Sequence, residues 1–114
     1  MKKKKIKSLK WISKGEMLLK ERNLPMLQKN EALLKVESCG ICGSDIKILN
    51  YGNKRVKSGQ IIGHEISGTI IEINGNLNDL KKGDKISLGA DIPCGECDRC
   101  KLGFGNDCKI NLAI

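Results

Sequence analysis

Residues 37–49 read ESCGICGSDIKIL, and the elements implied around this stretch decide the fold. Just upstream, Asn30 to Ser38 places apolar side chains at Ala32, Leu34 and Val36, with Leu33 between, and reads as a strand. Gly40 and Gly43 then bracket a tight bend at Cys42. Ser44-Asp45 is a helix start, after which Ile46, Ile48, Leu49 and Tyr51 fill about two turns.

Outward from this strand, bend and helix the pattern stays β-rich. Lys5 to Ile12 and Glu16 to Lys20 form a predicted hairpin, with Ser13-Lys14-Gly15 as its turn. Leu24-Pro25 opens a loop. Ile66 to Ile73 is rich in β-branched residues and reads as a buried strand, and Asn74-Gly75-Asn76 is a turn in which Asn and Gly tolerate positive φ. Lys85 to Leu88 is a further strand. A chain of 114 residues suits one domain, and no repeat, linker or internal boundary divides it. Thirteen glycines against two prolines fit a turn-rich, mainly β chain. With Trp11, Tyr51 and Phe104 the only aromatics, the core is expected to come from Ile, Leu and Val.

The net charge of +8 raises nucleic acid as a partner. Much of it sits in Lys2, Lys3, Lys4, Lys5, Lys7 and Lys10, and a terminal lysine run is more often a solvated tail. Single-strand binding calls for aromatic platforms among basic residues, which are scarce here, so nucleic acid is not an expected partner. Lys7, Lys10 and Lys14 break any apolar run of signal-peptide length, and no stretch could span a bilayer. The expected location is therefore the cytoplasm, with no membrane partner. Thiols stay reduced there, so six cysteines are better read as metal ligands than as disulfides.

Cys94, Cys97, Cys100 and Cys108 follow the spacing C-x2-C-x2-C-x7-C. Zinc takes four ligands at tetrahedral corners, and close-set cysteines in a glycine-bearing loop supply them. Gly95, Gly103 and Gly105 let the backbone turn around an ion. Four thiolates leave no open position, so this lobe, residues 94–108, is a structural site. Two disulfides or four unrelated buried cysteines are the bland alternatives. An iron–sulfur cluster is the sharper one, but the C-x3-C-P continuation of the bacterial ferredoxin run is missing.

The second constellation joins Cys42 to Gly63-His64-Glu65. A lone histidine is more often a packed or surface residue than a ligand. Its neighbours change that reading, because Cys, His and Glu all bind zinc, and three protein ligands leave a position open. An open zinc position polarises an alcohol oxygen and lowers the cost of its deprotonation. Cys39 reads as a small buried side chain at a strand end, or else as half of a Cys39–Cys42 redox pair.

The segments ESCGICGSDIKIL, GHEISG, KKGDKI and PCGECDRC together resemble the zinc-containing medium-chain alcohol dehydrogenases, from about Lys5 to Cys108. The resemblance implies a GroES-like β-barrel with a short helix and a zinc-binding cysteine lobe. It implies two zinc sites. Cys42 and His64 would be ligands of a catalytic zinc, and Glu65 would match the glutamate that is a direct ligand in polyol dehydrogenases. Ser44 would hydrogen-bond the substrate alcohol and pass on its proton, while Asp45 would orient the ligand histidine. Cys94, Cys97, Cys100 and Cys108 would hold the structural zinc.

Three positions depart from the family pattern. Lys47 stands where many members carry a relay histidine. Asn74 replaces a usual glycine. The chain stops at Ile114, where the family continues into a Rossmann domain that binds NAD or NADP. Gly103-Phe104-Gly105 only begins a G-x-G-x-x-G pattern, with Cys108 at its third glycine position. The implied function is oxidation of a small alcohol or polyol, with a partner chain carrying the cofactor domain as one arrangement and inactivity of the isolated chain as the expectation. The alternative is a non-enzymatic zinc-ribbon-like module in which Cys39, Cys42, Cys94 and Cys97 share one site.

Overall fold

The structure, a computed structural model, describes residues 4–111. Lys2 and Lys3 of the expected basic tail lie outside the described residues, while Lys4 is exposed. The chain folds as β1 (Lys5–Ser13), β2 (Glu16–Asn23), β3 (Glu31–Gly40), α1 (Gly43–Tyr51), β4 (Gln60–Ile61), β5 (Glu65–Asn74), β6 (Lys85–Leu88) and α2 (Asp98–Lys101). A single 3-10 turn follows at Gly105–Asp107.

All ladders are antiparallel and fall into two three-stranded sheets, ordered β2-β1-β4 and β3-β5-β6. The β1–β2 hairpin closes on a two-residue turn, Lys14-Gly15, where Gly15 has φ 75° and supplies the left-handed conformation. Ser13 pairs with Glu16 as the last rung of the ladder rather than lying in the turn. The β2 strand runs on to Asn23, because alternate side chains of this exposed edge can stay polar without breaking the ladder. The short strand β4 has no periodic signal of its own; it is recruited by pairing Lys10 with Ile61 and Trp11 with Gln60.

The second sheet carries the site. Asn30, expected to open β3, instead has φ 63°, a conformation that asparagine tolerates and that a strand cannot use. The strand therefore starts at Glu31 and continues to Gly40, pairing with β5 through register shifts between Leu33 and Leu34 and between Val36 and Ser38, down to Gly40 opposite Glu65. At the centre of β5, Ile70 is 1% exposed. Gly68 on the same strand lies so close to the Lys35 carbonyl that any side chain there would collide with it.

The core differs from the aliphatic one expected. Trp11 is its largest member, packed with Ile48 of α1 and Val56, and flanked by Met17, Leu49 and Ile62. A molecule only 21 Å across its thin axis leaves many aliphatic side chains half-covered, Val36, Ile46 and Leu88 among them. Removing a buried tryptophan costs about 3–5 kcal/mol in typical cores, so this one ring does much of the holding.

The α1 helix also starts one residue before the predicted Ser44-Asp45. Cys42 is its N-cap and Gly43 its first residue. The reason is local: Asp45, three residues on, accepts a hydrogen bond from the Cys42 backbone N–H at 2.9 Å. At the other end of the hairpin–helix junction, Gly15 N–H donates to the Leu49 carbonyl at 2.7 Å.

Candidate metal centres

The four cysteines of the lobe converge. Their sulfurs lie within 4.8 Å of one another, with Cys108 buried and the others half-buried. The lobe has almost no apolar core, and its backbone instead points at sulfur. Cys94 N–H and Asn111 N–H each donate to Cys108 Sγ at 3.3 Å, and Cys97 N–H donates to Cys94 Sγ at 3.4 Å. Surface ion pairs join its short helical turns, Arg99 to Asp107 at 3.1 Å and Lys109 to Asp98 at 2.8 Å.

These contacts set the thiol acidities apart. The Cys94 N–H, followed by those of Ile110 and Asn111, pulls the Cys108 thiol down to about 6 against the effect of burial. The Cys100 N–H and then that of Lys109 lower Cys97. Burial, reinforced by the neighbouring thiols, pushes Cys100 up to about 12. A cluster whose backbone N–H groups lower two of its thiols, Cys108 the further, suits a divalent cation, which requires its cysteines deprotonated.

Distances give a direct test of fit. Tetrahedral zinc with Zn–S bonds of ~2.3 Å would hold sulfurs ~3.8 Å apart. Cys94 Sγ and Cys100 Sγ are 3.9 Å apart, and Cys97 Sγ and Cys100 Sγ 3.5 Å apart, on either side of that value. The donor set and its spacing fit a closed zinc site.

The second cluster is built from separated pieces of chain. Cys42 caps α1, His64 precedes β5 and Glu65 is the first residue of β5; their donor atoms lie within 4.8 Å of one another. Cys42 Sγ and His64 Nε2 are 3.4 Å apart. A zinc bound to one sulfur and one imidazole nitrogen would separate them by ~3.6 Å, so these donors also fit.

Asp45 holds this arrangement from behind. Its carboxyl is buried, one oxygen occupied by the Cys42 N–H and the other, Oδ1, 3.9 Å from His64 Nδ1 with no hydrogen-bond partner. That separation is too long for a hydrogen bond. Of the two ring nitrogens of His64, Nδ1 is on the Asp45 side and Nε2 on the Cys42 sulfur side. Ser44 Oγ lies 2.9 Å from Cys42 Sγ, so the hydroxyl expected to meet substrate is here bonded to the sulfur. Lys47 follows on the next turn of α1 and is exposed.

Cys39 is exposed, not buried as a strand-end residue would be, because β3 is at the edge of its sheet. The ribbon-like grouping of Cys39 and Cys42 with Cys94 and Cys97 does not form: Cys42 gathers with His64 and Glu65, and Cys94 and Cys97 with Cys100 and Cys108.

An open depression of about 420 Å³ adjoins the second cluster, lined by His64, Glu65, Ile66, Ser67, Ser87, Leu88 and Ala90. Its serines were missed by sequence reading. Ser67 pairs across strands with both Ser38 and Ser87, and its hydroxyl meets that of Ser38 at 2.8 Å. Only the register of three strands brings them beside His64, and no local motif signals it.

The thin antiparallel β domain thus carries two clusters able to hold a metal, one of four cysteines and one of Cys42, His64 and Glu65. The chain belongs to the alcohol dehydrogenase GroES-like domain family, which matches residues 28–113. It is 36% identical to L-galactonate-5-dehydrogenase of Escherichia coli over 82% of its own length and 28% of that protein's. It is 38% identical to L-threonine 3-dehydrogenase of Bacillus velezensis over 79% of its length and 27% of the relative's. Sorbitol dehydrogenase of Gallus gallus is 36% identical over 81% of this chain and 27% of its own. Among solved structures, alcohol dehydrogenase TADH from Thermus sp. ATN1 superposes with a TM-score of 0.84 at 30% identity, covering 95% of this chain and 31% of that one. The chain thus spans less than a third of the length of the relatives it matches. The mainly β, GroES-like fold read from sequence is the fold observed. Among the described residues, no helix is long and apolar enough to cross a membrane.

Proposed function

We propose that this chain is the zinc-binding, substrate-side domain of an NAD(P)-dependent alcohol or polyol dehydrogenase. The observation that carries the reading is the convergence of Cys42, His64 and Glu65 beside an open depression, apart from a closed four-cysteine lobe. Cys42, His64 and Glu65 would hold a catalytic zinc, and Cys94, Cys97, Cys100 and Cys108 a structural one. When bound at the first set, zinc supplies a Lewis acid that polarises an alcohol oxygen.

The chain's own groups do the rest. Asp45 fixes Cys42 through its backbone N–H, and its free Oδ1, 3.9 Å from Nδ1, would orient the His64 ring on closing to hydrogen-bond distance. The Ser44 hydroxyl, exposed at the start of α1, can rotate from Cys42 Sγ toward a substrate alcohol and accept its proton at Oγ while releasing its own proton to solvent. Ser67 and Ser87 line the depression with hydroxyls suited to a substrate bearing several of its own. Hydride transfer needs a nicotinamide held nearby, and all described ladders here are antiparallel, unlike a dinucleotide fold. The cofactor is accordingly assigned to protein outside these 114 residues, on the same chain or a partner, and the isolated domain is expected to be inactive. The relatives' names, galactonate, threonine and sorbitol dehydrogenases, support a small hydroxylated substrate.

Native mass spectrometry of protein purified without added metal tests this. Two zincs per chain are expected, one of them lost on Cys42→Ser. One zinc, insensitive to Cys42→Ser, would overturn the reading.

A further inference from the structure

Gly40 ends β3 directly opposite Glu65 in the β3–β5 ladder. Residues so paired share a face, with Cβ atoms about 4.5–5.5 Å apart, and normally keep their side chains side by side. Gly40 has no such side chain. A Cβ built there would overlap Glu65 Oε2 and stand 3.1 Å from Glu65 Cβ and 3.5 Å from its carboxyl carbon. The Glu65 carboxylate therefore lies across the backbone of β3, in the volume that any other residue at position 40 would fill. The glycine is not there for its backbone freedom, because Gly40 is absent from the positive-φ glycines, which include Gly63 at 109°. Space is the reason. Two residues beyond Gly40 is Cys42, whose sulfur, with His64, lies within 4.8 Å of a Glu65 carboxylate oxygen.

Resting on the reading of Cys42, His64 and Glu65 as a metal site, we infer that Gly40 is a positioning residue that admits the Glu65 carboxylate to that site and so sets its ligand number. A methyl at position 40 would overlap only the far end of an exposed, flexible side chain, and the Glu65 Cβ at 3.1 Å need give by no more than a few tenths of an ångström, so the ladder is expected to hold. It would turn the carboxylate toward solvent. The cluster would then keep Cys42 and His64 and lose its third protein donor.

The test is cobalt(II) titration of the metal-stripped chain, following the second equivalent by its visible absorption while the lobe's thiolate bands report the first. Gly40→Ala is expected to weaken the second site about 10- to 100-fold, the range usual when a group that orients a ligand is lost. Glu65→Gln should weaken it to a similar degree, and the double variant no further than either, because both remove one donor. A structural role for Gly40 would instead give losses that multiply. Wild-type affinity in Gly40→Ala, or multiplying losses, overturns the inference. Unchanged affinity in Glu65→Gln, with Cys42→Ser still abolishing the site, overturns it while sparing the function proposed above. Uptake of the lobe's metal alone by the wild type would sink both. Should Gly40→Ala not fold, the wild type still decides: a nuclear Overhauser effect between Gly40 Hα and Glu65 Hγ is expected, and its absence counts against the contact.

Discussion

The two clusters use similar donors and are held in opposite ways. The lobe's four sulfurs come from fifteen consecutive residues, and its neighbours offer them backbone N–H groups. The Cys42 cluster draws on a helix cap and on His64, 22 residues away, with the strand start Glu65 beside it, and its support comes from the side chains of Asp45 and Ser44. Backbone support cannot be tuned without rebuilding the loop, whereas a carboxyl or hydroxyl can be exchanged one residue at a time. The difference separates a site that makes structure from one that depends on structure already made.

The contrast predicts unequal damage. The largest effect belongs to Cys108→Ser, which removes the sulfur that two backbone N–H groups address. Zinc contributes about 10–16 kcal/mol in small structural sites, so residues 94–108 should lose amide-exchange protection altogether. The second metal should remain bound. Protection retained in the lobe would break the comparison.

His64→Ala should abolish uptake at the Cys42 cluster yet change denaturant stability by about 1 kcal/mol or less, because the sheet beneath is already paired. A stability loss rivalling that of Cys108→Ser would show that both sites build the fold.

Asp45→Asn sharpens the picture. It weakens the acceptor facing His64 and Cys42 N–H together, so metal affinity there should fall about 10- to 100-fold. The same change weakens the helix cap, at a cost of about 1 kcal/mol read by thermal melting. Lobe metal content should not move. The smallest effect is expected from Lys109→Ala, whose exposed pair with Asp98 is worth about 1 kcal/mol at most.

Legibility in the sequence followed the same divide. The lobe was fully visible, because its donors are neighbours in the chain and spacing alone implies their meeting. The long strands and α1 were visible through periodicity, with errors confined to their ends. Those ends were decided by single interactions, such as the positive φ of Asn30 and the reach of Asp45 back to Cys42 N–H. The Cys42 cluster was visible only as a set of zinc-binding residue types, since no local pattern ties position 42 to position 64, and the family resemblance assigned its members their roles. What stayed hidden were features that exist only in register: strand β4, the serines facing the depression, and the glycine opposite Glu65. The exposure of Cys39 and the central place of Trp11 were equally out of reach, because thickness and edge position belong to the whole assembly.

The bond from Gly15 N–H to the Leu49 carbonyl gives the molecule a mechanical property. The α1 helix is a rod about 13 Å long, at 1.5 Å per residue, with a donor sulfur capping one tip and a hairpin clasped to the other. A peptide grafted into the Lys14-Gly15 turn, an otherwise inviting place to attach a label, would therefore pull on the far end of the rod that positions Cys42.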